Sequence, residues 1–314
     1  MCNSRSPIIL VSGNKKAVFI GINYTGMPVA LNGCINDVHN IRNFLQQRYG
    51  FLPNHCVQLT DDQEEAKFLP TRANIIAAMK WLVQDAQPGD SLFLHYSGHG
   101  ATAEDMDGDE KDGQDETIVP LDYQTAGMIV DDDLHAILVK PLQEGVRLTT
   151  IFDCCHSGTI LDLPFTYKCS GEIEVIADSH HKEAAKALLL AGVSLTRGMY
   201  SRVGDQYRRP ILTLTYHVRR YADAQRRAEK MRRSDADVVQ FSGCRDDQTS
   251  ADANIDNVAT GAMSYALIKV LNQHDSITYT DLLHKLRDEL KGKYTQIPQM
   301  STGRPMDMNS EFIM

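Results

Sequence analysis

A run of six residues, SLFLHY at 91–96, is too short for a helix, and its apolar character suits a strand covered on both faces. It sits inside an alternation of short apolar runs and amphipathic segments, which predicts an α/β fold. AVFIGI at 17–22 reads as the first strand, 36–49 as a helix, 55–59 as a second strand and 71–86 as a second helix. Pro88-Gly89-Asp90 then turns the chain into SLFLHY. A short strand follows at 117–120, a helix at 131–139 with Asp residues in its first turn, and a strand at 147–153. The pattern resumes with a strand at 237–242, helices at about 259–271 and 280–291, and an extended segment after Pro298. Right-handed crossovers make such strands a mostly parallel sheet.

The chain's 314 residues allow one large domain or two small ones. Apolar runs such as Pro7 to Val11 and Ala187 to Val193 fall far short of the roughly 20 residues of a membrane span. The start of the chain has too short an apolar stretch for a secretory signal, and Cys2 stands where myristoylation needs glycine. Seven cysteines without a CxxC pair or zinc spacing imply free thiols in a reducing compartment, the cytosol or the nucleus. A net charge of −9 argues against nucleic acid as a partner. The distribution of charge says more. Glu104 to Glu116 holds eight acids and one Lys, whereas Arg197 to Arg233 holds eleven basic residues against three acids. The basic stretch belongs to a segment, 165–235, that breaks the α/β pattern and reads as an insertion.

Two polar, glycine-containing turns close predicted strands: His95-Tyr96-Ser97-Gly98-His99-Gly100, and Asp153-Cys154-Cys155-His156-Ser157-Gly158. The carboxyl ends of strands in open α/β sheets are where ligands bind. A thiol nucleophile needs an imidazole partner, a lowered pKa and amide donors for an oxyanion, and two such turns facing each other can provide them.

This pair, HYSGHG then DCCHSG with His99 and Cys155 56 residues apart, resembles the catalytic signature of type I metacaspases, caspase-like cysteine proteases of clan CD, family C14. Further matches are GINYTG at 21–26, NGCINDVHN at 32–40, PTRANI at 70–75, IVDDDLH at 129–135, LDLPFTY at 161–167 and SGCRDDQTSAD at 242–252, with an NSEFIM ending like that of fungal members. The Q-A-C-[RQG]-G signature of caspases proper is not in the sequence. The resemblance implies a caspase-like α/β/α sandwich on a mostly parallel sheet of about six to eight strands. It implies one peptidase domain over 1–314, with a p20-like half at 15–165, the basic insertion at 165–235 and a p10-like half at 236–314. Type I members usually carry a Pro- and Gln-rich N-terminal extension, and this sequence begins almost at the first strand.

The family motif puts the nucleophile directly before His-Ser-Gly, which is Cys155. Neighbouring strand residues face opposite ways, so only one of Cys154 and Cys155 can face His99, and Cys154 becomes a packing residue. The resemblance makes His99 the general base or imidazolium partner and gives an oxyanion site to the amides of Gly100 and Cys155. His39, His95 and His156 read as structural. Cleavage after Arg or Lys needs a buried carboxylate in the pocket for the residue before the cut (P1), since an acid pairs with guanidinium and rejects an acidic side chain. The family carries that role to Asp37 and Asp153, with Cys34 and Ser97 lining the pocket. Asp37 on its own also suits the first turn of a helix, where a carboxylate favours the dipole.

Calcium is the hard cation that clustered carboxylates bind. Asp105, Asp107, Asp109 and Glu116 imitate an EF-hand loop, but Glu110 occupies its glycine position and no flanking helix pair is evident, so that reading fails. The resemblance places an activating calcium on Asp115, Asp131, Asp132 and Asp162. Cell death or protein quality control, a monomeric state, polypeptide substrates and self-cleavage in the exposed basic insertion complete what it implies. Two rivals remain. One is a calcium-responsive scaffold that binds misfolded protein without cutting it. The other is an arginine-specific protease of the legumain or gingipain kind, which shares the His-Gly and Cys order but lacks the Asp set around Asp131.

Overall fold

The chain's last residue lies against the start of its first strand, where Lys15 Nζ donates to the Met314 carbonyl, and the chemistry lies at the carboxyl ends of two central strands. The structure, a computed structural model, describes residues 13–104, 114–155, 157–167, 173–175, 232–243, 252–255, 258–291 and 297–314. The described residues within 13–174 and 234–314 belong to one compact unit.

Strand β1 (Lys15–Gly21) leads through α1 (Cys34–Tyr49) to β2 (Cys56–Thr60), and α2 (Arg72–Val83) leads on to β3 (Ser91–Ser97). Local chemistry sets these boundaries. The Thr71 hydroxyl accepts the Asn74 amide at 3.3 Å to start α2, and Gly50, at φ 72°, turns the chain out of α1 in the left-handed conformation that a β-carbon disfavours. After β3 the chain forms β4 (Gly100–Glu104), β5 (Gln114–Ile118), the short α3 (Tyr123–Ala126), β6 (Ile129–Val130), α4 (Asp131–Leu138) and β7 (Arg147–Asp153). Then come β8 (Phe165–Tyr167), β9 (Ile173–Val175), β10 (Asp237–Ser242), β11 (Asp252–Ile255), β12 (Val258–Gly261), α5 (Ala262–Asn272), α6 (Tyr279–Leu290) and β13 (Gln299–Thr302).

Among the described residues, the central sheet has eight strands in the order β2-β1-β3-β7-β10-β13-β8-β9. The pairings from β2 through β10 are parallel, and β13 pairs antiparallel with both β10 and β8. The caspase-like, mostly parallel α/β arrangement is therefore the one found. Every residue of β3 and β7 is buried, as strands covered on both faces require. Alternation divides them. Ala17, Phe19, Phe93 and Ile151 join one apolar cluster with α1, α5 and α6, while Val18, Ile20, Leu92, Leu94 and Leu148 join another with α2 and α4.

Two local readings change, and a third lies outside what the structure describes. The segment predicted as a strand at 117–120 is β5 at 114–118, and it pairs antiparallel with β4 and β6 in a separate small sheet, outside the main one. Residues 259–261, predicted as the start of a helix, instead belong to β12, which pairs antiparallel with β11. The pieces assigned to the basic insertion and the acidic run at 105–113 lie almost wholly outside the described residues.

The final segment straps the start of the sheet. Phe312 accepts no solvent beyond 5% of its surface, packs edge-on at 5.4 Å from Tyr279 and 5.9 Å from Phe241, and donates its amide to the Ile277 carbonyl at 2.8 Å. Lys15 Nζ donates to the carbonyls of Tyr49 and Met314 at 2.7 and 2.9 Å, and burial lowers its pKa. Phe312→Ala should therefore reduce the unfolding free energy by about 3–5 kcal/mol in a urea titration. A loss below about 1 kcal/mol, typical of surface substitutions, would place the strap outside the cooperative core.

Candidate active site

Register brings the two turns together. β3 and β7 are neighbours, with Ser97 opposite Asp153, so His99 and Cys155 both follow from the same end of adjacent strands. Backbone contact closes the gap. A β-carbon built on Gly100 would stand 2.0 Å from the Cys155 carbonyl oxygen and 3.3 Å from Cys154 Sγ, so only glycine lets the histidine turn lie against the cysteine turn. Cys154 is fully buried in the core, whereas Cys155 is partly exposed.

The His99 imidazole is oriented on two sides. Its Nε2 is 2.7 Å from the Val29 carbonyl, which can only accept, so Nε2 is the donor and the neutral tautomer has its lone pair on Nδ1. The Tyr24 ring stacks at a tilt, 4.8 Å between centroids. An imidazole held with a basic Nδ1 can take a proton from a thiol.

Beside this pair, the expected acidic residues converge. Asp37 lies in the first turn of α1 and Asp153 ends β7, and both are buried. Ser97 Oγ donates to Asp37 Oδ2 at 2.7 Å, and the Gly261 amide donates to both Asp37 oxygens at 2.7 and 2.9 Å. The Ser264 amide, in the first turn of α5, donates to Asp153 Oδ2 at 2.9 Å. A β-carbon on Gly261 would fall 2.1 Å from Asp153 Oδ2 and 2.8 Å from Asp37 Oδ2, which shows how closely both carboxylates approach one backbone point. Amides at the start of one helix, α5, thus reach both buried carboxylates. Asp37 serves the helix dipole and the pair at once. Cys34, buried, begins α1 one turn before Asp37.

His95 lies beneath the pair with Nε2 2.9 Å from Ser264 Oγ. Burial pushes its imidazole down to about 3, so it stays neutral and brings no cation to the acids. His39 sits on the exposed side of α1 with Nε2 3.3 Å from Gln58 Nε2, and His156 lies outside the described residues.

The four residues assigned to calcium come from three segments. Asp115 is on β5, Asp131 and Asp132 start α4, and Asp162, at φ 50°, lies in the turn before β8. His135 Nδ1, 2.8 Å from the Leu161 carbonyl, ties α4 to that turn. Asp115, Asp131 and Asp162 are buried, and Asp132 is exposed. Asp131 accepts the amides of Glu116 and Asp132 at 2.8 and 2.9 Å, while burial raises its pKa. The oxygen-only donor set suits a hard cation. Among the described residues, however, no three His, Cys, Asp or Glu side chains are drawn together as a metal-holding group.

Sequence reasoning missed Val29, Gly261, Ser264, Tyr24 and Tyr96. Val29, Gly261 and Ser264 act through backbone atoms, which leave no mark in a residue pattern. Tyr24 lies in the quoted GINYTG segment and Tyr96 in HYSGHG, but their phenols meet His99 only in three dimensions.

Fold and site together define a caspase-like chain. The solved structure of protein GSU0716 from Geobacter sulfurreducens matches it with a TM-score of 0.58 at 24% identity, covering 95% of this chain and 97% of that one. The chain belongs to the metacaspase family. The metacaspase peptidase C14 domain profile matches residues 15–164. Metacaspase-1 of Cryptococcus neoformans var. neoformans serotype D is 51% identical over 302 residues, 96% of this chain and 65% of that protein. Metacaspase-1B of Aspergillus oryzae is 49% identical over 315 residues, covering 99% and 73%, and Metacaspase-1 of Saccharomyces cerevisiae strain S288c is 50% identical over 303, covering 96% and 69%. The chain thus spans about two thirds of the length of these relatives. No helix among the described residues is long and apolar enough to cross a membrane.

Proposed function

We propose that the chain is a calcium-dependent cysteine endopeptidase that cuts polypeptides after Arg or Lys, processes itself in the basic segment at 165–235, and acts in programmed cell death or protein quality control. The observation that carries this reading is the contact of the His99 and Cys155 turns at Gly100, beside the buried Asp37 and Asp153. His99 Nδ1 accepts the Cys155 proton, and the thiolate adds to the scissile carbonyl. The developing oxyanion is met by the amides of Gly100 and Cys155. The imidazolium returns the proton to the leaving amine, leaving a thioester. Water, deprotonated by the same imidazole, hydrolyses the thioester and frees the thiol. Asp37 and Asp153 receive the guanidinium or ammonium of P1, and their charge rejects Asp and Glu there.

Asp115, Asp131, Asp132 and Asp162 would hold the calcium, which when bound supplies the positive charge that lets these carboxylates share one place and settles the neighbouring loops. Buried carboxylates on three segments support the assignment. The test compares hydrolysis of peptides with Arg, Lys, Asp or Asn at P1, with calcium, with magnesium and with chelator. Cleavage after Arg and Lys in calcium alone is expected, since magnesium resists dehydration and demands octahedral geometry. Preference for Asn would favour the legumain-like rival, and binding of misfolded protein without hydrolysis would favour the scaffold. Turnover unchanged by chelator would remove calcium from the account.

A further inference from the structure

We infer that Tyr24 and Tyr96 are positioning residues for His99, holding its backbone in a closed ring of hydrogen bonds that presents Nδ1 to Cys155. The inference rests on the peptidase reading above. The His99 amide donates to Tyr24 Oη at 3.1 Å, and Tyr24 Oη donates to the Val119 carbonyl at 2.6 Å. The Val119 amide donates to Tyr96 Oη at 3.2 Å, and Tyr96 Oη donates to the His99 carbonyl at 2.7 Å. Each phenol has one hydrogen to give. This assignment uses each once and satisfies all four backbone groups. The two hydroxyls lie 3.3 Å apart, and the Val119 amide also reaches the His99 carbonyl at 3.2 Å.

Both phenols are fully buried, and burial holds them protonated at any working pH. The phenols therefore keep their protons as His99 gains and loses its own. Tyr24 bears a local cost for its place. Its φ of 52° is an outlier for a bulky residue, and the turn is pinned by Asp61, whose oxygens accept the amides of Asn23 and Thr25 at 2.8 and 3.1 Å. From that conformation one side chain reaches the His99 amide with its hydroxyl and the imidazole with its ring. A turn fixed only by its own backbone would let Nδ1 drift, and a shift of about 1 Å at a reacting centre costs about 100-fold in rate.

Tyr24→Phe and Tyr96→Phe keep the rings and remove the hydroxyls. Each should lower kcat by about 10- to 100-fold on an Arg peptide while leaving KM within about twofold, since the ring touches no P1 residue. The double variant should lose little more than either single one, because the four bonds act as a unit. Alkylation of Cys155 by iodoacetamide should slow in parallel. In the wild type the His99 amide should be protected from hydrogen exchange, which can be read whether or not a variant folds. Wild-type kcat in both variants, a loss confined to KM or to thermal stability, or an unprotected His99 amide would overturn the inference. Cys155→Ala run alongside separates the two levels: activity retained there refutes the peptidase reading itself.

Discussion

Cys155→Ala should abolish peptide hydrolysis, a loss of at least about 1000-fold, because the proposed reaction passes through an acyl intermediate on this thiol. Cys154 is the informative control. It is an adjacent thiol of the same chemistry, but it is fully buried in the core, while Cys155 is partly exposed beside Gly100. Cys154→Ala should therefore keep most turnover and lower stability by about 1–2 kcal/mol through lost packing. Active-site titration with a chloromethyl ketone and a melting curve on both variants separate the roles. Equal loss of turnover in the two would leave the nucleophile unassigned.

Asp153→Asn should lower kcat/KM for Arg substrates by about 2–5 kcal/mol in transition-state binding, roughly 30- to 5000-fold. Asparagine keeps the shape and an oxygen to accept the Ser264 amide, so the start of α5 stays in place while one of the two charges disappears. Replacing P1 Arg with citrulline, which is near in shape and neutral, should cost the wild type a comparable factor and cost the variant much less. Efficient cleavage of Asp substrates by the wild type would sink the assignment of both carboxylates.

The strands that form the middle of the sheet were the most legible parts of the sequence. β7 and β10 begin and end where the apolar runs do, since a strand buried on both faces has little freedom in composition. Residues 114–118 were harder, because a five-residue strand with a buried Asp and Glu carries no apolar period, and its partners are other short segments. β8 and β13, three and four residues long, likewise declare themselves only by pairing. In the site, Asp37, Ser97 and Asp153 could be named from the family pattern, and the structure brings them together. Gly261 could not. Its importance lies in what a β-carbon there would strike, and that depends on two residues more than 100 positions away.

Strand order has a consequence for any break in the chain between 176 and 231. Along the sheet, β7 precedes the break, β10 and β13 follow it, and β8 precedes it again. Each fragment's strands are therefore hydrogen-bonded to the other's on two seams, β7 to β10 and β13 to β8. The buried Arg147 of the first piece is also paired with Asp237 of the second at 2.9 Å. Cutting there should sever a covalent link without parting the halves: the acid pair would keep Asp37 and Asp153 from one piece and its Gly261 and Ser264 amides from the other, as a noncovalent heterodimer woven strand by strand.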